Sequence, residues 1–301
     1  MSSADLAPAM ATMRRHSWLT RIWKARPPLV IGLCIGWLTV VIVAALFAEY
    51  LAPFGFAEQS LLQRLKPPAA LGGPAENLLG TDDLGRDVFS RIIYAMRTSI
   101  LIAVMATVIG ATVGTVLGIV AAHFRGWVDD LIMMLVDFQA SVPFLIVALA
   151  VLAFFGNNFV LLIVLIGLFG WDGYARIARG LVLSTNGQGY AFAIRTLGVH
   201  PAKVYIRHVL PNMLGVIMVQ VTLNFPEIIL LETSLSFLGL GVQPPGTSLG
   251  LLLGEGRNYL TTAWWMGIPA GVVIFLTTLA ISLLGDWLRD MLDPNLGAKG
   301  E

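Results

Sequence analysis

Long stretches of the chain carry no Asp, Glu, Lys or Arg and are rich in apolar residues. The uncharged stretches are residues 27–48, 98–124, 138–171, 208–226, 233–254 and 258–285. A helix needs about 20 apolar residues to cross the roughly 30 Å hydrocarbon core of a bilayer. The lengths of these stretches therefore predict a chain that crosses a membrane several times.

Five of the stretches yield six predicted transmembrane helices. The stretch 138–171 is too long for one helix, and Gly156-Asn157-Asn158 inside it is a turn signal. We therefore divide it in two. The predicted helices are Leu29–Ala48, Ser99–Ala122, about Leu131–Phe155, about Phe159–Ile177, Val209–Leu231 and Trp264–Leu284.

The stretch 233–254 does not fit a transmembrane helix. It contains five glycines and the pair Pro244-Pro245. Such a segment would leave backbone groups without hydrogen bonds, which the hydrocarbon core does not tolerate. We predict a structured loop that lies on the protein or at the membrane interface.

Composition supports an integral membrane protein. Of the 301 residues, 57% are apolar and 12% are charged, against about 25% charged in an average soluble domain. The net charge of +1 provides no basic excess for nucleic acid. The single Cys34 excludes an intramolecular disulfide. The expected class is an all-α polytopic membrane protein.

The distribution of Lys and Arg predicts the orientation. With the N-terminus inside, the inner segments hold twelve of these residues and the outer segments six, while Arg176 lies at the inner end of the fourth helix. Both termini are therefore expected in the cytoplasm. The predicted organisation is a cytoplasmic segment 1–28, a first helix 29–48, an extracytoplasmic loop 49–97, a transmembrane core 98–286 and a cytoplasmic tail 287–301.

Small residues recur along one face of the second predicted helix. Ala106, Gly110, Gly114, Gly118 and Ala122 are spaced four residues apart. Such a face lets another helix approach closely. The spacing fits a pore-forming or subunit interface and ordinary internal packing equally well.

A few polar residues inside the apolar helices are candidates for a transport pathway. Gln220, Asn224 and Glu227 share one helix face at i, i+4 and i+7, which favours the lining of a water-filled pathway. Asp137 could line the pathway or tie helices together. Asp172 has Arg176 four residues later, which indicates an ion pair on the helix surface. Glu232, near the outer end of the fifth helix, is a further candidate.

The sequence contains no motif of a catalytic or metal site. It has no Gly-x-x-x-x-Gly-Lys-Ser/Thr phosphate loop, no nucleophile box and no metal-ligand spacing among its four histidines. Thr81, followed by Asp82, Asp83 and Asp87, predicts the N-cap of a short helix in preference to a metal site. We expect no enzyme activity and no cofactor in this chain.

The cytoplasmic segment 178–208 is unusually long and predicts a helical elbow. Tyr190, Ala193, Ile194 and Leu197 share a helix face, and Gly198 suits a helix C-cap. Pro201 permits a new helix start. The elbow could bind a partner or lie on the membrane surface.

This elbow resembles the coupling-loop motif in permease subunits of bacterial ABC importers of the peptide type. The residues that match the motif are Ala193, Arg195, Leu197, Gly198, Leu210, Pro211 and Asn212. Phe192 stands where the family usually has Glu. Three further blocks, Leu79–Arg91, Glu232–Pro245 and Gly285–Pro294, resemble the second permease subunit of dipeptide/oligopeptide (peptide/nickel) importers. The resemblance covers about residues 29–296. Asp172 replaces a usual Pro, and Leu249 a frequent Trp.

The resemblance implies a type I ABC importer permease fold with a cytoplasmic coupling helix, in the bacterial inner membrane. It implies a heterodimer with a homologous second permease subunit, two cytoplasmic ATPase subunits that bind ATP and Mg, and an extracytoplasmic solute-binding protein. A scoop-like outer loop would meet that protein through Ser236, Phe237, Leu238, Gly239, Gln243 and Pro244. The implied cargo is a dipeptide or oligopeptide, with nickel complexes and glutathione as variants. A stand-alone secondary transporter and an intramembrane enzyme are the remaining alternatives.

Overall fold

The computed structural model describes residues 28–186, 205 and 209–292. Its α-helices are α1 (Leu29–Leu46), α2 (Ala48–Leu51), α3 (Val88–Phe124), α4 (Gly126–Ser141), α5 (Phe144–Phe155), α6 (Phe159–Phe169), α7 (Trp171–Asn186), α8 (Leu210–Phe237), α9 (Leu249–Gly256) and α10 (Ile268–Leu292). Over these ranges no β-strand forms, and Thr81 and Asp87 share one isolated bridge. The all-α prediction is confirmed.

Five of the helical segments are long and apolar enough to cross a membrane. They are Leu29–Leu46, Val88–Phe124, Phe159–Ser184, Met213–Phe237 and Trp264–Met291. The pair α4 and α5 makes a sixth if it is counted as one bent span. Only 22–33% of the residues in the most apolar part of each segment are buried inside the isolated chain, as expected for helices that face lipid or partner subunits.

The third predicted helix is not straight. The expectation of one continuous span over Leu131–Phe155 is wrong, because α4 and α5 meet at an angle of 91°. Pro143 carries no backbone N–H, and its ring disfavours the helical conformation at the preceding residue. Val142 accordingly adopts extended dihedrals of φ −96° and ψ 125°.

The segment 233–254 contains no seventh span, as predicted, but part of it is helical. α8 continues to Phe237, so Ser236 and Phe237 belong to its last turn; the expectation that they lie in the outer loop is wrong. Gly239, with φ of +82°, follows the helix end, where a residue with a Cβ would be strained. Leu238, Gly239, Gln243 and Pro244 form the turn that leads to the eight-residue helix α9.

The glycine face of α3 packs inside the chain. A Cβ on Gly110 would lie 2.9 Å from the carbonyl oxygen of Gly167 in α6. Gly114 and Gly118 approach the backbones of Trp171 and Ala175 in α7 even more closely. Of the two interpretations that the spacing left open, the structure therefore shows internal packing, with α6 and α7 held against α3.

Candidate functional site

A cavity of about 300 Å³ lies among α4, α6, α7 and α8. Its lining combines three carboxamides and two carboxylates with apolar and glycine positions. The lining residues are Gln139, Ala140, Ile166, Phe169, Gly170, Asp172, Gly173, Gln220, Asn224, Glu227, Ile228 and Leu231.

The polar face of α8 points into this cavity. Gln220, Asn224 and Glu227 all line it, and Gln220 Nε2 donates a 2.8 Å hydrogen bond to Asn224 Oδ1. Their helical spacing explains this shared direction. The structure adds Gln139 from α4 and Asp172 from α7. Gln139 was missed as a lining residue, although a Gln inside the uncharged stretch 138–171 is a signal that could have indicated it.

Asp137, the fourth predicted lining residue, does not line the cavity. Its side chain is 78% exposed, and Arg176 Nη2 lies 3.7 Å from its Oδ1. The same Nη2 lies 3.6 Å from Asp172 Oδ2. Arg176 thus joins α4 to the first turn of α7, in agreement with the alternative that Asp137 ties helices together.

Glu232, five residues beyond Glu227, is buried in a separate cluster of hydroxyl groups. Its side chain is almost fully buried. Ser236 Oγ donates to Glu232 Oε1 at 2.7 Å, and Ser99 Oγ donates to Oε2 at 3.3 Å. Ser248 Oγ donates in turn to Ser236 Oγ at 3.3 Å. We call Ser99, Glu232, Ser236 and Ser248 the serine–glutamate cluster. It is not part of the cavity lining.

The cluster holds the first turn of α9. The backbone N–H of Leu249 donates to Ser99 Oγ at 3.1 Å, and that of Leu251 donates to Ser248 Oγ at 3.2 Å. Because these hydroxyls accept from backbone groups, their own protons are directed toward the carboxylate. Two chains of hydrogen bonds thus run from the N-terminus of α9 to Glu232.

A buried ion-pair network holds the outer loop before α3. Asp82 Oδ2 lies 2.6 Å from both Arg86 Nε and Arg91 Nη1, and Arg91 Nη1 lies 2.8 Å from Glu255 Oε2 in α9. Asp82 and Arg91 are buried. The prediction of Thr81 as an N-cap is wrong: Asp87 caps α3 by accepting from the backbone N–H of Ser90 at 2.7 Å. Within the described ranges, no group of three potential metal ligands occurs.

The comparisons with known proteins agree with this architecture. Residues 114–297 match the model of the family described as "Binding-protein-dependent transport system inner membrane component". A di/tripeptide transport system permease protein of Pseudomonas aeruginosa (strain UCBPP-PA14) is 39% identical over 258 residues, 85% of each chain. A dipeptide transport system permease protein of Bacillus subtilis (strain 168) is 36% identical over 86% of this chain and 80% of the relative.

The chain belongs to this family of transport permeases. It is a multi-pass protein of the inner membrane with the type I ABC permease fold. The permease is a transport component without an ATPase site of its own, and it works with ATPase and binding-protein partners. The prediction of an ABC importer permease is thereby confirmed.

Most of the predicted coupling loop of the permease lies outside the described residues. Tyr190, Ala193, Arg195, Leu197, Gly198 and Pro201 all belong to that part. Leu210 and Pro211 are described and form the first turn of α8. Proline is tolerated there because the first turn has no partner for its backbone N–H groups.

Proposed function

We propose that this permease imports dipeptides or oligopeptides and that the cavity among α4, α6, α7 and α8 forms its half of the pathway. The observation that carries the proposal is the polar lining. Three carboxamides and two carboxylates converge from three helices in a chain of which only 12% of the residues are charged. Polar groups at membrane depth are costly unless they face protein or water.

The chemistry of the lining suits a peptide. A peptide bond offers one N–H donor and one carbonyl acceptor. The carboxamides of Gln139, Gln220 and Asn224 each provide both kinds of group. The apolar lining residues can contact the side chains of the cargo without selecting one of them strongly. The names of the relatives from Pseudomonas aeruginosa and Bacillus subtilis support the same cargo class.

A glutathione importer is the second candidate. A glutathione transport system permease protein of Pectobacterium atrosepticum is 35% identical over 85% of this chain and 84% of its own. Glutathione is itself a peptide, so the same carboxamides could contact it. A nickel complex remains the third cargo class from the sequence resemblance.

The assembly that supports import would contain four kinds of chain. A homologous second permease subunit would complete the pathway as a heterodimer partner. Two ATPase subunits, which bind ATP and Mg, would contact the segment 190–201 in the cytoplasm. A solute-binding protein would deliver the cargo to the turn 238–248 on the outer side. Closure of the ATPases would favour one state of the permease over the other by differential binding.

Uptake of a radiolabelled dipeptide into proteoliposomes tests the pathway. Asn224→Leu removes a carboxamide from the cavity, and the loss of one hydrogen-bonding group costs about 1.4 kcal/mol, or about tenfold in rate. We expect the same direction for Glu227→Leu. Leu230→Ala is the matched control, since Leu230 lies on α8 but outside the lining. Unchanged uptake in both cavity variants would refute the pathway assignment.

Co-purification separates an importer subunit from a stand-alone transporter. A tagged permease should bring down a second permease and ATPase subunits. Uptake by the purified single chain, without ATP, would favour a secondary transporter.

A further inference from the structure

We propose that the cavity is a binding site for the α-ammonium group of the cargo peptide. This inference rests on the proposed function, because it assigns a chemical polarity to the same pathway. Asp172 and Glu227 contribute carboxylates to the lining, which contains no Lys or Arg among the described residues. The site therefore fits a cationic group and disfavours a second carboxylate.

The balance of charge around the cavity is negative. Arg176 is shared between Asp172 and Asp137, at 3.6 and 3.7 Å. Glu227 forms no ion pair within the part of the chain that the structure describes. The lining thus holds two carboxylates, of which only Asp172 has a guanidinium nearby. Since opposite charges attract and Glu227 has no ion-pair partner among the described residues, it is the group that a cargo cation would compensate.

A buried hydroxyl lies beside the cavity. Tyr174 is 1% exposed and follows the lining residue Gly173 on α7. Its hydroxyl makes no hydrogen bond of good geometry among the described residues. Asn224 is the side chain placed to bond with it, and Glu227 acts on it through its charge. The hydroxyl therefore lies behind the lining, beside the same two side chains of α8 that face the cavity.

These groups match the donors of an ammonium ion. An ammonium group has three N–H donors and no acceptor. The Glu227 carboxylate supplies an acceptor on α8, and the carboxamide oxygens of Gln139, Gln220 and Asn224 supply further ones. A C-terminal carboxylate would meet two carboxylates and no cation of the described lining. The cargo would therefore enter this site with its amino end.

Charged thiol reagents can measure the sign of the potential in the cavity. The test uses the complete complex in nanodiscs, with Cys34→Ser to remove the one native thiol and Ala140→Cys to place a thiol in the lining. For each thiol we compare the reaction rate of the cationic trimethylammonium-ethyl methanethiosulfonate with that of its anionic sulfonatoethyl analogue. We expect the ratio of these two rates at Ala140→Cys to be about ten times the ratio at a control thiol. Ser141→Cys is the control, since Ser141 is exposed at the next position but is not in the lining. Equal ratios at the two thiols would overturn the proposal.

Two further variants tie the preference to named groups. Glu227→Gln keeps the shape of the side chain and should lower the reagent ratio at Ala140→Cys toward that of the control. Tyr174→Phe removes only the hydroxyl and should leave the ratio unchanged. A ratio that stays high in Glu227→Gln would overturn the role of Glu227.

Protection by small peptides identifies the ligand group. Alanyl-alanine amide has a free ammonium and no carboxylate, whereas N-acetyl-alanyl-alanine has the reverse. The amide should slow the modification of Ala140→Cys by the uncharged methyl methanethiosulfonate, and Glu227→Gln should weaken this protection several-fold. Equal protection by both peptides, or protection by the acetylated one alone, would overturn the ammonium assignment.

Uptake of alanyl-alanine by the same complexes separates the two levels of inference. If Asn224→Leu lowers uptake while the reagents show no charge preference, the pathway stands and the ammonium site is wrong. If the charge preference and the protection are present while every cavity variant takes up the dipeptide at the normal rate, the proposed pathway is wrong.

Discussion

The serine–glutamate cluster allows a sharp test of how the outer part of the permease is held together. Glu232→Gln preserves the size of the side chain but replaces one acceptor oxygen with an amide donor. Ser99 and Ser236 already accept from backbone N–H groups and donate to Glu232. The amide N–H group introduced by the substitution would therefore face a serine hydroxyl that also donates, so that two donors would meet with no acceptor between them.

The size of the effect follows from the two contacts. Hydrogen bonds contribute about 0.5–1.5 kcal/mol each, and a buried donor left unsatisfied costs about 1–3 kcal/mol. The substitution removes one hydrogen bond, leaves one donor unsatisfied and keeps the side chain buried. We expect a loss of about 2–4 kcal/mol of stability and a looser attachment of α9.

Thermal unfolding of the purified complex, followed by tryptophan fluorescence, measures this loss. Glu227→Gln is the matched control because Glu227 lies on the same helix, is exposed and lies outside the serine–glutamate cluster. The apparent Tm should fall by several degrees in Glu232→Gln and stay within about one degree of wild type in the control. An equal fall in Tm in both variants would contradict the proposed stabilising role of the serine–glutamate cluster.

Three other substitutions have expected outcomes. Gly114→Leu would force a side chain into the backbone of α7 and should abolish the monodisperse peak in size-exclusion chromatography, whereas Gly215→Leu, with open space around its Cβ, should not. Arg91→Gln leaves Asp82 with a weakened buried ion pair and should cost about 3–5 kcal/mol, against about 0–1 kcal/mol for Arg97→Gln in its exposed pair with Glu49; thermal unfolding compares the two. Gly198→Pro should leave ATP hydrolysis by the complex in place but stop dipeptide uptake, and normal uptake would contradict the coupling role of the segment.

Helical periodicity explains why part of the cavity could be predicted from the sequence. Gln220, Asn224 and Glu227 lie on one helix, so their spacing alone places them on one face. Asp172 and Gln139 come from other helices, and their convergence with α8 depends on tertiary packing. The same limit applies to the glycines of α3: the four-residue spacing predicted a close approach, but only the fold shows that the approaching backbone belongs to α6 and α7.

Two local predictions failed because neighbouring signals competed. Pro143 indicates a break between α4 and α5, but the angle of 91° between these two helices depends on how α5 packs after the break. Thr81 and Asp87 are both good N-cap residues six positions apart. Asp82 decides between them, because its bonds to Arg86 and Arg91 hold residues 82–86 in a turn and leave Asp87 to begin the helix.

The arrangement along α8 connects the outer turn of the permease to the cavity. Glu227 and Glu232 are five residues apart, which rotates them by about 140° around the helix axis. One therefore faces the cavity while the other binds the first turn of α9 through the serines. A displacement of α9 by a partner would pull on Glu232 and reach the cavity within two helical turns. Pro226, which lacks a backbone N–H, lies between the cavity residues Asn224 and Glu227 and provides a place where α8 can bend. The helix thus carries, five residues apart, a contact with the outer helix α9 and part of the lining of the cavity that we assign to the cargo.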